Sequence, residues 1–147
     1  MDQGYLVPVF LDEVIPGDTL NCKMTAFARL TTPIHPIMDN MYLDSFFFFV
    51  PMRLVWSNWT KFMGEQEDPG DTIAYTIPVG TVPAGGYNTA SLADYLGLPV
   101  GLAPGAPAWD HSALPIRSYY KIFNEWFRDQ NLLASISELG SAGIARS

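Results

Sequence analysis

Residues 38–56 read MDNMYLDSFFFFVPMRLVW, and the four consecutive phenylalanines at their centre are the most informative feature of the chain. Side chains alternate between the two faces of a β-strand, so Phe46 and Phe48 share one face. Phe47 and Phe49 then occupy the opposite face. A strand that is aromatic on both faces must be covered on both, and a small chain covers one with its own core. The run therefore indicates a building block, whose second face is covered by an insertion, a second sheet or a neighbouring subunit.

The composition is apolar and acidic. Of 147 residues, 48% are hydrophobic and 14% aromatic, but only 16% are charged, below the usual share of about a quarter. So few charges leave apolar surface exposed on a monomer, and such surface marks an interface. The net charge of −7 argues against strong non-specific nucleic-acid binding, because neutralising phosphates takes clustered Lys and Arg. Contact with nucleic acid would need aromatic stacking or a separate basic partner.

Hydrophobic periodicity predicts strands first and helices around them. Leu20–Leu30 alternates between apolar and polar side chains, as a half-buried antiparallel strand does, and Met41–Val50 is the aromatic strand. Apolar residues at helical spacing predict helices over 53–63 and 115–130. Between them, residues 65–114 are rich in Gly and Pro and form a loop insertion. A brief helix is predicted within it at 92–96, with Ser91 as its N-cap. These elements together predict a mainly β protein with helical and loop insertions.

Both predicted helices carry an aromatic face. Trp56 and Trp59 lie on the first helix, and the stripe on the second follows i, i+3, i+4, i+7 spacing. The residues of that stripe are Ile116, Tyr119, Tyr120, Phe123, Trp126 and Phe127. A base-stacking platform has basic residues alongside, so we interpret the stripe as a packing face, directed at the sheet or at the next subunit.

No motif indicates catalysis. The chain lacks a phosphate-binding glycine loop, a paired-His metal motif, a CxxC and a GxSxG. His35 and His111 are isolated loop histidines, and the acidic residues of 65–71 suit a solvated loop, without the spacing of a calcium-binding loop. We therefore expect no enzyme activity, no cofactor and no metal. The longest wholly apolar run, residues 46–52, is far too short to span a membrane, so no membrane partner is expected.

Several ordered segments resemble one family, the major capsid proteins of the Microviridae, which are small single-stranded-DNA bacteriophages, and within it the gokushovirus branch. The segments that carry the resemblance are residues 9–19 (VFLDEVIPGDT), 38–44 (MDNMYLD), 47–51 (FFFVP), 53–56 (RLVW), 93–95 (ADY), 97–99 (GLP), 114–115 (LP) and 124–131 (NEWFRDQN). The resemblance implies an eight-stranded viral jelly-roll β-sandwich with large insertions. Its subunits would build a T=1 icosahedral shell around circular single-stranded DNA.

The resemblance also sets the expected organisation and partners. Residues 1–131 would be the amino-terminal part of a jelly-roll capsid domain, and residues 132–147 a divergent tail, disordered or frame-shifted. Partners would be other copies of the chain, a small basic DNA-packaging protein and a scaffolding protein, with the DNA contacted indirectly. The protein would reside in the virion after assembly in the bacterial cytoplasm. The expected assembly and packing residues are Phe46, Phe47, Phe48, Phe49, Trp56, Trp59, Tyr119, Phe123, Trp126 and Phe127.

Two other hypotheses stay open at this point. Trp109 and Tyr87 would stack on a sugar ring, with Asp110 accepting its hydroxyls, if the chain were a carbohydrate-binding β-sandwich. The departure from the family after residue 131 would also fit a prophage remnant without function.

Overall fold

The computed structural model describes residues 4–102 and 108–136. These residues belong to two units. One consists of Asp12–Phe47, and the other joins residues 4–11 to the described chain from Phe48 onward. All of the helices and strands that follow lie in the second unit.

The regular elements are short and occur in a mixed order. They are α1 (Met52–Val55), α2 (Trp59–Phe62), β1 (Val79–Thr81), α3 (Leu92–Tyr95), β2 (Asp110–Ser112), α4 (Leu114–Ile122) and a π-helical turn (Phe123–Phe127). The two strands pair antiparallel, with Gly80 opposite His111, and main-chain hydrogen bonds continue on both sides of the ladder. The described residues thus contain one two-stranded sheet and little helix, which is compatible with a mainly β protein.

Local signals explain how α3 and α4 begin. Ser91 caps α3, because its hydroxyl accepts a hydrogen bond from the amide of Asp94 at 3.4 Å. The Asp94 carboxylate in turn accepts the amide of Ala90 at 2.8 Å. Pro115 lies in the first turn of α4, where no helical amide partner is needed. The predicted helix at 92–96 is therefore confirmed, and the predicted helix at 115–130 begins one residue early.

The core lies where α3 packs on α4 and the π-helical turn. Leu92, Tyr119, Tyr120 and Phe123 form one buried cluster. Partly buried apolar side chains surround it, namely Leu6, Leu96, Ile116, Phe127 and Ile136. Leu92 has no exposed surface and Phe123 keeps 2%, so the burial of these two side chains is a main source of stability for this unit.

The two strands predicted from alternation are wrong for the described chain. Residues 20–30 and 41–50 adopt no strand, and Phe27 is 91% exposed. Alternation identifies a segment that suits a sheet, but a strand also needs a partner for its amides and carbonyls. Neither segment has a ladder partner among the described residues, so neither forms a strand.

The helix predicted at 53–63 is divided in two. Trp56 ends α1 in an extended conformation, with φ −139° and ψ 116°, and α2 follows at Trp59. The break allows the Trp56 ring to be buried against Trp59 and Phe62, at centroid distances of 6.4 and 5.6 Å. Packing of the Trp56 indole against rings in the next few residues thus overrides helical periodicity. Gly64 follows α2 with φ +97°, the left-handed conformation that a glycine adopts where it ends a helix.

Candidate functional site

The aromatic face of α4 divides into a buried and an exposed part. Tyr119, Tyr120 and Phe123 are buried, with the two tyrosine rings edge to face at 5.9 Å. Trp126 is 71% exposed, although the same helical stripe includes it. The chain changes to a π-helical turn at Phe123, and the wider turn carries the residues beyond it off the α-helical stripe.

Phe48 connects the phenylalanine run to the exposed end of this helix. Its ring lies 5.7 Å from that of Trp126 and 6.0 Å from that of Phe127, in tilted and edge-on geometries. Aromatic pairs at these distances add about 0.5–1.5 kcal/mol beyond their area burial. The structure therefore brings three of the predicted packing residues together as one aromatic patch, although Phe48 precedes the other two by 78 and 79 positions in the sequence.

The other phenylalanines of the run present their rings to solvent. Phe46, Phe47 and Phe49 are 59%, 65% and 77% exposed. Because they come from both faces of the run, no single packing partner within a sheet would cover them all. We call Phe46, Phe47, Phe49 and Trp126 the exposed aromatic set. Phe46 and Phe47 belong to one unit, and Phe49 and Trp126 belong to the other. In each unit, large exposed aromatic side chains of this kind mark an interaction surface.

Trp56 and Trp59, also predicted as packing residues, lie together with Phe62. The Trp59 and Phe62 rings are 5.9 Å apart, and Trp56 is buried while Trp59 is half-buried. This cluster stabilises the helical pair α1 and α2. Packing within this cluster explains the positions of Trp56 and Trp59 without a bound ligand.

Tyr87 and Asp110, which were considered for sugar binding, form hydrogen bonds with other residues of the chain. The Tyr87 hydroxyl lies 2.9 Å from Nε2 of His111, and Nδ1 of His111 lies 2.9 Å from the Ser112 carbonyl oxygen. The carbonyl accepts, so Nδ1 carries the proton and Nε2 accepts from the tyrosine hydroxyl. Asp110 accepts a hydrogen bond of 2.7 Å from the Thr81 hydroxyl. The polar groups that would recognise a sugar thus have partners within the hairpin.

Sequence analysis did not foresee the pairing of Tyr87 with His111. The two are 24 residues apart, and only the β1–β2 ladder brings them together. Burial raises the pKa of the Tyr87 hydroxyl above its ordinary value. The pKa of Tyr120 is raised as well, first by burial and then by the nearby Tyr87. No local sequence signal marks this cluster.

The acidic turn is a solvated loop, as predicted. Gln66 donates to the Asp71 carbonyl at 2.8 Å, and the Asp71 carboxylate accepts from the Asp68 amide at 3.4 Å. Among residues 4–102 and 108–136, no three His, Cys, Asp or Glu side chains are placed to hold a metal ion. In the same part of the chain, no helix has the length and apolar character to cross a membrane.

Comparison with known proteins identifies the family. The phage family described as "Capsid protein (F protein)" matches residues 1–141, and the chain belongs to this family. "Capsid protein VP1" of Bdellovibrio phage phiMH2K is 49% identical over 132 residues, covering 90% of this chain. The proteins of the same name from Chlamydia phage 1 and Spiroplasma virus 4 are 45% and 38% identical, over 92% and 88% of the chain. The resemblance to microvirus capsid proteins is thus confirmed.

The chain spans about a quarter of the length of these curated relatives, since the matches cover 24%, 23% and 23% of them. The family match continues through residue 141, whereas the segments that carry the resemblance in the sequence analysis end at residue 131. Residues 132–136 of the expected tail are ordered on the helical unit, with Ile136 packed against the core cluster. Residues 137–147 lie outside the described residues.

Proposed function

We propose that this chain is part of the major capsid protein of a small single-stranded-DNA bacteriophage, and that it acts by self-association and not by catalysis. The observation that carries the proposal is the family match over residues 1–141, together with relatives that are named capsid proteins. The exposed aromatic set supports it, because a protein that works alone in solution does not keep several large aromatic rings uncovered.

The domain assignment is part of this proposal. Residues 1–131 would contribute to a viral jelly-roll β-sandwich, in which further strands pair with 20–30 and 41–50. Support comes from the sequence of these segments, because alternation in the first and the aromatic run in the second suit a sheet. Residues 65–114 would be an insertion on that sandwich, built around the β1–β2 hairpin and α3. Residues 103–107 of this insertion lie outside the described residues.

The shell would be a T=1 icosahedron built from copies of this protein. Phe46, Phe47 and Phe49 would be covered either by later strands of the same subunit or by a neighbouring copy. Aromatic residues are enriched at the buried core of protein interfaces, and charged residues are depleted there. A chain with 14% aromatic and 16% charged residues fits that composition.

The DNA would be contacted indirectly. A net charge of −7 repels phosphate, so encapsidation of single-stranded DNA would depend on a small basic packaging protein. A scaffolding protein would guide assembly in the bacterial cytoplasm, and the product would be the virion. Both partner proteins are proposed because the chain belongs to the capsid family. The net charge of −7 also supports the need for a basic packaging protein.

The test is the presence of this chain in purified particles. Trypsin releases residues 54–61 (LVWSNWTK) and 122–128 (IFNEWFR), two peptides that identify it by mass spectrometry. Nuclease-treated lysate from producing cells is separated on a density gradient. We expect both peptides in a fraction of small isometric particles that also holds protected circular single-stranded DNA. Recovery of both peptides only from the slow, DNA-free fractions would contradict the proposal.

A further inference from the structure

Asn124 pairs with the main chain of Ile136 through two hydrogen bonds. Its side-chain Oδ1 accepts from the Ile136 amide at 3.0 Å, and its Nδ2 donates to the Ile136 carbonyl at 3.0 Å. A primary amide carries one acceptor and a donor side by side, as a main-chain peptide group does. The Asn124 side chain therefore meets Ile136 in the way that a residue of a neighbouring strand meets its partner.

Arg128 holds the same segment from the other end. Its Nη1 donates to the carbonyl of Leu133 at 2.9 Å, and its Nε lies 3.5 Å from the carbonyl of Asn124. The π-helical turn makes this possible, because the Arg128 amide bonds to the Phe123 carbonyl. The Asn124 carbonyl is thereby directed toward the guanidinium and not toward a backbone amide.

The segment between the two contacts reverses direction at Asp129. The Asp129 carbonyl accepts from the amides of Leu132 and Leu133, at 3.3 and 2.9 Å, and its carboxylate accepts from the amide of Asn131 at 2.9 Å. After this turn the chain runs back along the helix to Ile136, whose side chain packs against the core cluster. Residues 133–136 are thus fixed by hydrogen bonds on two sides and by one apolar anchor.

We propose that Asn124 is a positioning residue for residues 133–136. Its side-chain amide pairs with Ile136 as a residue of a neighbouring strand would, and Arg128 holds the same segment at Leu133. Together they fix the course of residues 133–136 along the helical unit. The inference rests on the geometry of the described residues and does not require the capsid function.

The experiment measures amide hydrogen exchange by NMR on the 147-residue chain. Asn124→Ala removes both hydrogen bonds, and we expect protection of the Ile136 amide to fall at least tenfold, while the Ile122 amide of α4 keeps its protection. Asn131→Ala, an exposed asparagine in the adjoining turn, is the matched control and should leave both amides unchanged. Wild-type exchange at Ile136, with Ile122 protected, would overturn the proposal.

Asn124→Asp separates pairing from simple packing. Its carboxylate keeps an acceptor but has no donor for the Ile136 carbonyl, whereas its protonated form has an O–H beside a C=O and reproduces the amide. Protection of Ile136 should therefore be low at neutral pH and return as the pH falls through the ordinary carboxyl range near ~4. Arg117, Lys121 and Glu125 line the same cleft, so each value is compared with wild type at the same pH.

A return of protection at low pH supports the proposal even if the alanine variant does not fold. Protection that stays at the wild-type level at every pH would overturn it, as would a loss at neutral pH that acid does not reverse. Structural bulk does not predict such a return, because the two side chains have nearly the same shape at all pH values. Protection of the Ile122 amide, followed over the same pH range, reports any effect of the new charge on the helix itself.

Discussion

The Tyr119 hydroxyl donates a hydrogen bond of 2.7 Å to the main-chain carbonyl of Leu6, across 113 positions of sequence. Tyr119 belongs to the buried aromatic face of α4, and the Leu6 side chain packs against the same core cluster. This hydrogen bond and the packing of Leu6 join residues 4–11 to the helical unit. This contact explains why residues 4–11 belong to the unit that also contains α4.

Tyr119→Phe removes only that hydroxyl. The Leu6 carbonyl then loses a partner in a partly buried place, so we expect the free energy of unfolding to fall by about 1 kcal/mol. Urea denaturation followed by tryptophan fluorescence measures the change. Tyr42→Phe is the control, because Tyr42 is 83% exposed and should leave the midpoint unchanged. Equal stability of the two variants would show that the hydrogen bond contributes nothing.

Phe123→Ala and Trp126→Ala should differ sharply in their effect on folding. Phe123 is 2% exposed, so its truncation leaves a cavity and costs about 3–5 kcal/mol. Trp126 is 71% exposed and keeps mainly its contact with Phe48, so its loss costs about 1 kcal/mol or less. Urea denaturation of each variant gives both values. A larger cost for Trp126→Ala would contradict the division of the helix face.

Gly80→Ala should displace the His111 ring. A Cβ atom at position 80 would lie 2.9 Å from Cε1 of His111, closer than real contacts allow. The ring has to move, so the hydrogen bond from the Tyr87 hydroxyl to Nε2 should be lost, and the NMR signals of the imidazole should shift. Gly70→Ala is the control, because nothing lies within 4 Å of its added Cβ. Unchanged imidazole signals in the Gly80 variant would contradict the described register.

Stability should decline in strongly alkaline solution. Burial raises the pKa of Tyr87 and Tyr120 in the folded chain, so the folded state holds these two protons after the unfolded chain has released them. The stabilisation is full below the ordinary value of 10.0 and is lost as the pH rises through the raised values. Ultraviolet titration should show late-ionising tyrosines, and Tyr87→Phe should bring the Tyr120 ionisation earlier. Titration of every tyrosine at the ordinary value would contradict this account.

The helices that depend on local chemistry were predictable. Ser91 caps α3 and Pro115 opens α4 through interactions within one turn, and Gly64 ends α2 because glycine accepts a positive φ. The break at Trp56 and the π-helical turn at Phe123 were not predictable. The break at Trp56 accompanies the packing of its ring on Trp59 and Phe62, which helical periodicity does not encode, and no local sequence signal marks the π-helical turn.

The strand predictions at 20–30 and 41–50 were wrong for a different physical reason. Leu20–Leu30 has the alternation of a strand, but pairing needs a second strand with free amides and carbonyls, and the described residues provide none. The same need explains the exposed rings of Phe47 and Phe49. Periodicity describes what a segment is suited to, whereas the family resemblance, which draws on specific ordered residues, identified the protein class that the alternation alone did not.

The most direct test of the central claim compares solvent access to the phenylalanine run before and after assembly. Hydroxyl-radical footprinting with mass spectrometry would measure oxidation at Phe46, Phe47 and Phe49 in the 147-residue chain and in the purified particles. We expect strong labelling in the chain, where these rings are 59%, 65% and 77% exposed, and at least tenfold protection in the particle. Equal labelling of the three rings in both forms would contradict the claim that this run is covered in the assembled capsid.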